Sequence, residues 1–79
     1  MNGQALPLNL LPLGRRGIVR EINSGAGRRR MLDLGLVAGT AVETVLRSPA
    51  GDPIAYQIRG AVIALRREEA VQILVEPAW

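Results

Sequence analysis

The chain contains no cysteine, no histidine, no lysine and no phenylalanine, and each gap removes a class of function. Without cysteine no disulfide can staple the fold, so nothing points to an oxidising compartment. Without cysteine and histidine the commonest side-chain ligands for zinc, copper and iron are missing. The carboxylates Glu21, Asp33, Glu43, Asp52, Glu68, Glu69 and Glu76 are scattered along the sequence. They leave room only for a weak divalent-metal site, best made by two chains together, and no cofactor is expected. Acid–base or nucleophilic chemistry would fall to those carboxylates or to Ser24 and Ser48, and neither serine stands in a nucleophile elbow. The absence of lysine rules out a phosphate-binding loop of the GxxxxGK[ST] kind. The chain is expected not to be an enzyme.

Long hydrophobic runs are also absent. The strongest, Ala61 to Leu65, falls far short of the roughly 20 residues a spanning helix needs. The first residues, MNGQALPLNLLPLGRR, are partly apolar. Pro7 and Pro12 interrupt them, Asn9 sits among them, and the basic residues follow rather than precede them. That is the wrong order for a signal peptide, and the expected location is cytoplasmic.

What is present is a small, aliphatic, arginine-rich chain. Its 79 residues suit a single domain, 1–79, with a barrel core at about 14–76 and an extended N-terminal segment over 1–13. A domain of this size buries only about 60–65% of the surface its unfolded chain exposes. The 48% hydrophobic content can fill a core, but with one Tyr, one Trp and no Phe that core must be built from Val, Ile, Leu and Ala. Such a composition favours β-branched strands. The net charge is +3 and every basic residue is arginine. A GC-rich genome explains that preference; bidentate pairing with carboxylate or phosphate is the functional alternative.

Periodicity supplies the elements. In the N-terminal segment Leu8, Leu10, Leu11 and Leu13 are candidate apolar anchors. Gly17 to Ile22 reads as a strand with Ile18 and Ile22 on one face and Val19 and Glu21 on the other. Asn23 to Gly27 is a loop. Arg28 to Leu34 is a short helix closed by Gly35, with Leu36 folding back onto Met31, and Arg29 within reach of Asp33 one turn on. Held alone in water it would melt, so Met31, Leu32 and Leu34 must be buried. After Gly39 the period becomes two. Val42, Thr44 and Leu46 alternate with Glu43, Val45 and Arg47; Ile54, Tyr56 and Ile58 alternate with Ala55, Gln57 and Arg59. Between them Ser48-Pro49-Ala50-Gly51-Asp52-Pro53 has turn chemistry, which predicts a hairpin. Gly60 marks a second reversal before the apolar strand Ala61–Leu65. Arg66 to Ala70 suits one helical turn, and Val71, Ile73 and Val75 face inward on a last strand ended by Pro77. The sum is a mainly β protein: a small SH3-like β-barrel of about five strands, one short α-helix, and a helical turn before the last strand. An OB-fold is the structural competitor.

Three fragments, RRRMLDLGLVAGT, SPAGDPIAYQIRG and ALRREEAVQILV, follow one another in the order and spacing of the FeoA family of ferrous iron transport proteins. The resemblance spans about Gly14 to Val75. It implies an SH3-like barrel, a cytoplasmic role in bacterial ferrous iron uptake, and a partner, the FeoB membrane transporter with its GTP-hydrolysing domain. Docking, complex assembly and modulation of the GTPase are each compatible with it. The same domain forms the C-terminal module of iron-dependent repressors, which carry a separate helix-turn-helix domain. One departure falls in the turn, where Ala50 replaces the larger apolar residue usual in the family; Ala38 stands where the family often has proline.

Two segments are candidate partner-binding sites. Arg28, Arg29 and Arg30 form the densest charge cluster, at a helix start whose dipole disfavours cations. They are either a patch for acidic groups or a solvated face paired with Asp33. Pro49, Ala50, Gly51, Asp52 and Pro53 are either a contact loop or a hairpin turn in which Asp52 bonds its own backbone. Arg66-Arg67-Glu68-Glu69 reads as a capping turn. Two other functions compete with docking: a basic nucleic-acid-binding barrel and a metal-responsive regulatory barrel. Single-strand binders present stacking aromatics, and one Tyr with Trp79 is a poor platform, so no nucleic-acid partner is expected.

Overall fold

The structure, a computed structural model, describes residues 4–23 and 27–78. Part of the loop expected at Asn23–Gly27, including Ser24, and Trp79 lie outside the described residues. Among the described residues six antiparallel strands form one sheet in the order β1-β6-β2-β3-β4-β5. The strands are β1 (Leu6–Pro7), β2 (Arg16–Ile22), β3 (Ala41–Arg47), β4 (Ile54–Ile58), β5 (Ala61–Leu65) and β6 (Ile73–Pro77). Helix α1 (Arg28–Asp33) lies between β2 and β3, and helix α2 (Arg67–Ala70) between β5 and β6. The sheet curls around one aliphatic core: Leu8, Leu11, Val19, Met31, Leu36, Val42, Ile54, Tyr56, Ile58, Leu65, Ala70, Ile73 and Val75. It is not a strictly closed barrel, since β1 and β5 remain at its two edges.

The expected hairpins, the helix and the helical turn all form; the additional strand comes from the N-terminal segment. That segment is not simply extended. Leu6 and Pro7 pair with Val75 and Leu74, and Leu8–Leu10 then make a 3₁₀ turn. The turn drives Leu8 and Leu11 into the core and leaves Leu10 and Leu13 outside, so only two of the four expected anchors serve.

Bulges account for the other departures from strict alternation. Gly17 and Val19 lie on the core side of β2 with Ile18 half-buried, and a register shift between Val19 and Glu21 then leaves Glu21 exposed and Ile22 half-buried. Glycine fits closely at 17: a Cβ there would stand 3.1 Å from Val75 Cγ2, and Val75 would have to give way. A second shift, between Thr44 and Leu46, turns Leu46 outward to 63% exposure although Val42 and Thr44 point inward. One extra residue reverses the facing of all that follow it. Val71 lies at the end of α2 instead of on β6, and is exposed.

The close of α1 follows the expectation. Gly35 is left-handed at φ 95°; its N–H bonds Leu32 O at 3.0 Å, and Leu36 N–H bonds Met31 O at 3.1 Å. That pair of bonds satisfies two orphan carbonyls, and Leu36 and Met31 are both buried.

Candidate functional site

Helix α2 brings the two candidate segments together. Four residues long, it needs side-chain acceptors for the N–H groups at its start. Glu69 supplies one half: its Oε1 accepts from Arg66 N–H at 3.0 Å. The hairpin loop supplies the other. Asp52 Oδ1 accepts from Arg67 N–H at 2.9 Å, so Asp52 caps a distant helix and does not close its own turn. The turn is instead held by Gly51 N–H to Ser48 O at 2.7 Å and by Ser48 Oγ to Pro53 O at 2.8 Å. Gly51 is left-handed at φ 85°, the Asp52–Pro53 peptide is cis, and Pro49 and Ala50 are exposed.

On its other flank α2 reaches the arginine cluster. Helix α1 starts poorly: Gly27 is left-handed at the N-cap position, no side chain among the described residues caps the helix, and its first turn holds no acidic residue. Three cations there oppose the helix dipole. The compensation comes from α2, where Glu69 Oε2 accepts from Arg30 at 2.6 Å. The pair is with Glu69 and not with Asp33, and Arg29 and Asp33 form no ion pair among the described residues. Arg28 reaches Ile22 O at 3.4 Å, and neither it nor Arg29 has a carboxylate partner among the described residues. A cleft of about 310 Å³ lined by Gly27, Glu68, Glu69 and Gln72 runs between the start of α1 and α2. Arg28, Arg29, the hairpin and α2 thus form a basic surface on which Glu69 is bound both to a backbone amide and to one guanidinium.

The sequence reading overlooked two features. Arg59 has φ 50°, the one non-glycine residue with positive φ among those described, and with Gly60 at φ 82° it makes the two-residue turn between β4 and β5. Such turns favour Asn-Gly or Asp-Gly, so Arg59 carries no recognisable signal. Its side chain lies over Gly35, where an added Cβ would stand 3.0 Å from Arg59 Cδ. It also lines two shallow clefts of about 250 and 410 Å³ that share Ala41.

The second feature is a polar clamp on the N-terminal segment. Thr44 Oγ1 donates to Leu11 O at 3.0 Å, Arg47 donates to Leu11 O at 2.9 Å and Asn9 O at 3.1 Å, and Tyr56 OH donates to Leu8 O at 3.3 Å. Burial pushes the Tyr56 phenol up from 10.0 to about 12, with the Arg47 guanidinium opposing. The signal was available: Thr44 and Tyr56 are hydroxyls on inward-facing strand positions, and a buried hydroxyl needs a partner. The bonding atoms are backbone carbonyls of a segment without periodicity, which no pattern locates.

Among the described residues no three His, Cys, Asp or Glu side chains gather where a metal could be held, and no helix is long and apolar enough to cross a membrane.

Comparison with known proteins bears on this geometry. A family model described as the FeoA domain matches residues 6–77. A fusion protein of Fe(2+) transport protein A and the Fe(2+) transporter FeoB from Porphyromonas gingivalis is 41% identical over 59 residues. That match takes in 75% of this chain and 7% of the fusion protein, so the chain spans a small part of that relative. The solution structure of a FeoA-like protein from Clostridium acetobutylicum superposes with a TM-score of 0.90 at 35% identity, covering 100% of this chain and 92% of the other. A FeoA from Stenotrophomonas maltophilia, solved with zinc and described as a prokaryotic SH3 domain protein, gives 0.76 at 32% identity, with 86% of each chain covered. The fold is SH3-like.

Proposed function

The chain belongs to the FeoA family, which is associated with ferrous iron transport, and from that membership we propose that it is a cytoplasmic accessory protein that docks on a FeoB-type membrane transporter and assists or regulates it. One observation carries the reading. In the Porphyromonas gingivalis relative Fe(2+) transport protein A and the Fe(2+) transporter FeoB are joined in a single fusion protein. In this chain the same association would be made through the surface of the domain. The domain would work by contact and not by catalysis, and any GTP hydrolysis would belong to the transporter.

The surface proposed for contact is the one assembled on α2: Arg28, Arg29 and Arg30 at the start of α1, with Pro49, Ala50, Gly51, Asp52 and Pro53 in the hairpin. Arg28 and Arg29 are exposed cations with no carboxylate partner among the described residues, which suits an acidic patch on the partner. No nucleic-acid role is proposed: among the described residues the one aromatic side chain, Tyr56, is buried in the core and cannot stack on a base.

The test is uptake and binding together. A strain lacking the protein should take up ferrous iron poorly and recover with the wild-type gene. Reversal of Arg28, Arg29 and Arg30 to glutamate should not restore uptake and should weaken capture by the transporter's cytosolic region. Full rescue by the reversed variant would remove the cluster from the mechanism. Absence of capture by the wild type would remove the docking reading altogether.

A further inference from the structure

We propose that the outer edge of β5 is a second docking site, which takes an extended acidic segment of a partner as an added strand. The proposal is independent of the transporter reading and names the partner by its chemistry.

Strand β5 lies at one end of the sheet order and, among the described residues, pairs only with β4. Ile58 and Ala61 close the two-residue turn at Arg59–Gly60, so they exchange both backbone bonds across it. Bonding then alternates along an antiparallel ladder. Ala61, Ile63 and Leu65 bond inward to β4, while Val62 and Ala64 direct their N–H and C=O groups off the edge. Both are exposed, Val62 at 65%.

Sheet proteins usually blunt such an edge with a charge, a proline, a bulge or a covering loop. Here the sequence is AVIAL, the bulges fall in β2 and β3, and no turn or loop backbone bond reaches these residues among those described. An open edge of this kind is where an extended peptide adds by main-chain bonding.

Charge identifies the occupant. The edge begins at Arg59 and ends at Arg66 and Arg67, all exposed and without ion pairs among the described residues. Five residues of strand span about 17 Å, so cations stand at both ends of a short apolar track. A second copy of the chain seated symmetrically on the strand, with Val62 opposite the other copy's Ala64, would set Arg59 against Arg67 at both ends. Like charges facing each other oppose that pairing, whereas an incoming strand with carboxylates at both ends complements it.

The experiment uses the isotope-labelled full chain and a synthetic capped peptide: alternating valine and threonine over five positions, with two glutamates at each end. Expected are saturable amide shifts centred on Ala61–Leu65 and hydrogen exchange at Val62 and Ala64 slowed at least about tenfold at saturation. Binding should weaken in high salt, as exposed charges are screened. Ala64→Pro removes one outward donor without touching the β4 ladder and should cut affinity about tenfold or more. If that variant does not fold, the same peptide N-methylated at alternate residues removes the bonds from the other side and should lose affinity equally. Equal binding of the N-methylated peptide, or of one with lysine in place of glutamate, would overturn the proposal. So would shifts that spare β5. Sedimentation of the free chain as a dimer with protected β5 amides would give the edge to a second copy instead.

Discussion

The N-terminal clamp and the α2 surface both use side chains to hold a loop, and they do so in opposite settings. At the clamp, Thr44 and Tyr56 are buried and Arg47 half-buried, and their targets are backbone carbonyls of residues 8–11. At α2, Glu69 and Asp52 act near solvent, where Arg30 and Arg67 are exposed. Losing a partner in the first setting strands a desolvated polar group, at a cost of about 1–3 kcal/mol. In the second, water replaces the lost partner and the cost is under about 1 kcal/mol. The clamp is therefore a fixture of the fold, while the α2 surface can exchange its partners for those of another molecule at little cost.

The sharpest way to break this contrast is to attack the core that the clamp seals. Leu8 and Leu11 are fully buried, and their truncation leaves a cavity as well as losing apolar contact. Leu8→Ala and Leu11→Ala should each cost about 2–5 kcal/mol. In a domain this small that is a melting temperature lower by about 10 °C or more. A calorimetric shift of only a degree or two would show that the N-terminal segment is a detachable strap and not part of the fold.

The next test is chemical. The Tyr56 phenol is raised to about 12, so the native state holds its proton where the unfolded chain has lost it. Above pH 10 the unfolded state binds fewer protons than the native one, and stability falls as pH rises. The loss is on the order of 2–3 kcal/mol by pH 12 and is absent below pH 10. The chain has a single tyrosine, so ultraviolet titration reads this group alone. Tyr56→Phe should flatten that alkaline limb of the stability profile. An identical limb in the variant would assign the alkaline loss to some other group.

How far the sequence disclosed all this differs between the two regions. The hairpins, α1 and its glycine close were legible, because alternation and turn residues report directly on facing and reversal. Arg28–Arg30 and Pro49–Pro53 were visible as segments, but not their common attachment to α2, since hydrogen bonds from Asp52 to a helix 15 residues away leave no local pattern. Leu46 misled for a related reason: alternation assumes a continuous pleat, and the bulge after Thr44 interrupts it. The 3₁₀ turn at Leu8–Leu10 was hidden because its residues are fixed by tertiary bonds, not by propensity. The open edge of β5 was concealed by its own composition. A continuous apolar run reads as a buried strand, and only the sheet order reveals that one side of it is free.

Arg47 tests the clamp more finely. It bonds Leu11 O together with Thr44, but among the described residues it is the sole side-chain donor to Asn9 O. Arg47→Met keeps the aliphatic stem and removes both donations. It should cost about 1–3 kcal/mol by denaturant melts, while Thr44→Val, which leaves Arg47 on Leu11, should cost less. The reverse order would make the hydroxyl the principal support.

The smallest effect is expected at the α2 surface. Glu69→Gln keeps an oxygen for the Arg66 amide and loses only the charge that faces Arg30. The Arg30 side chain is 51% exposed and that of Glu69 17%, so water and salt reach the guanidinium side of the pair and screen it. The variant should melt within about 1 kcal/mol of the wild type. Freeing Arg30 should at the same time strengthen capture of an acidic partner by the arginine cluster, because a guanidinium no longer bound to its own domain is available to another. A large loss of stability would mean that Glu69 holds α1 and α2 together, and the surface would then belong with the clamp as part of the fold.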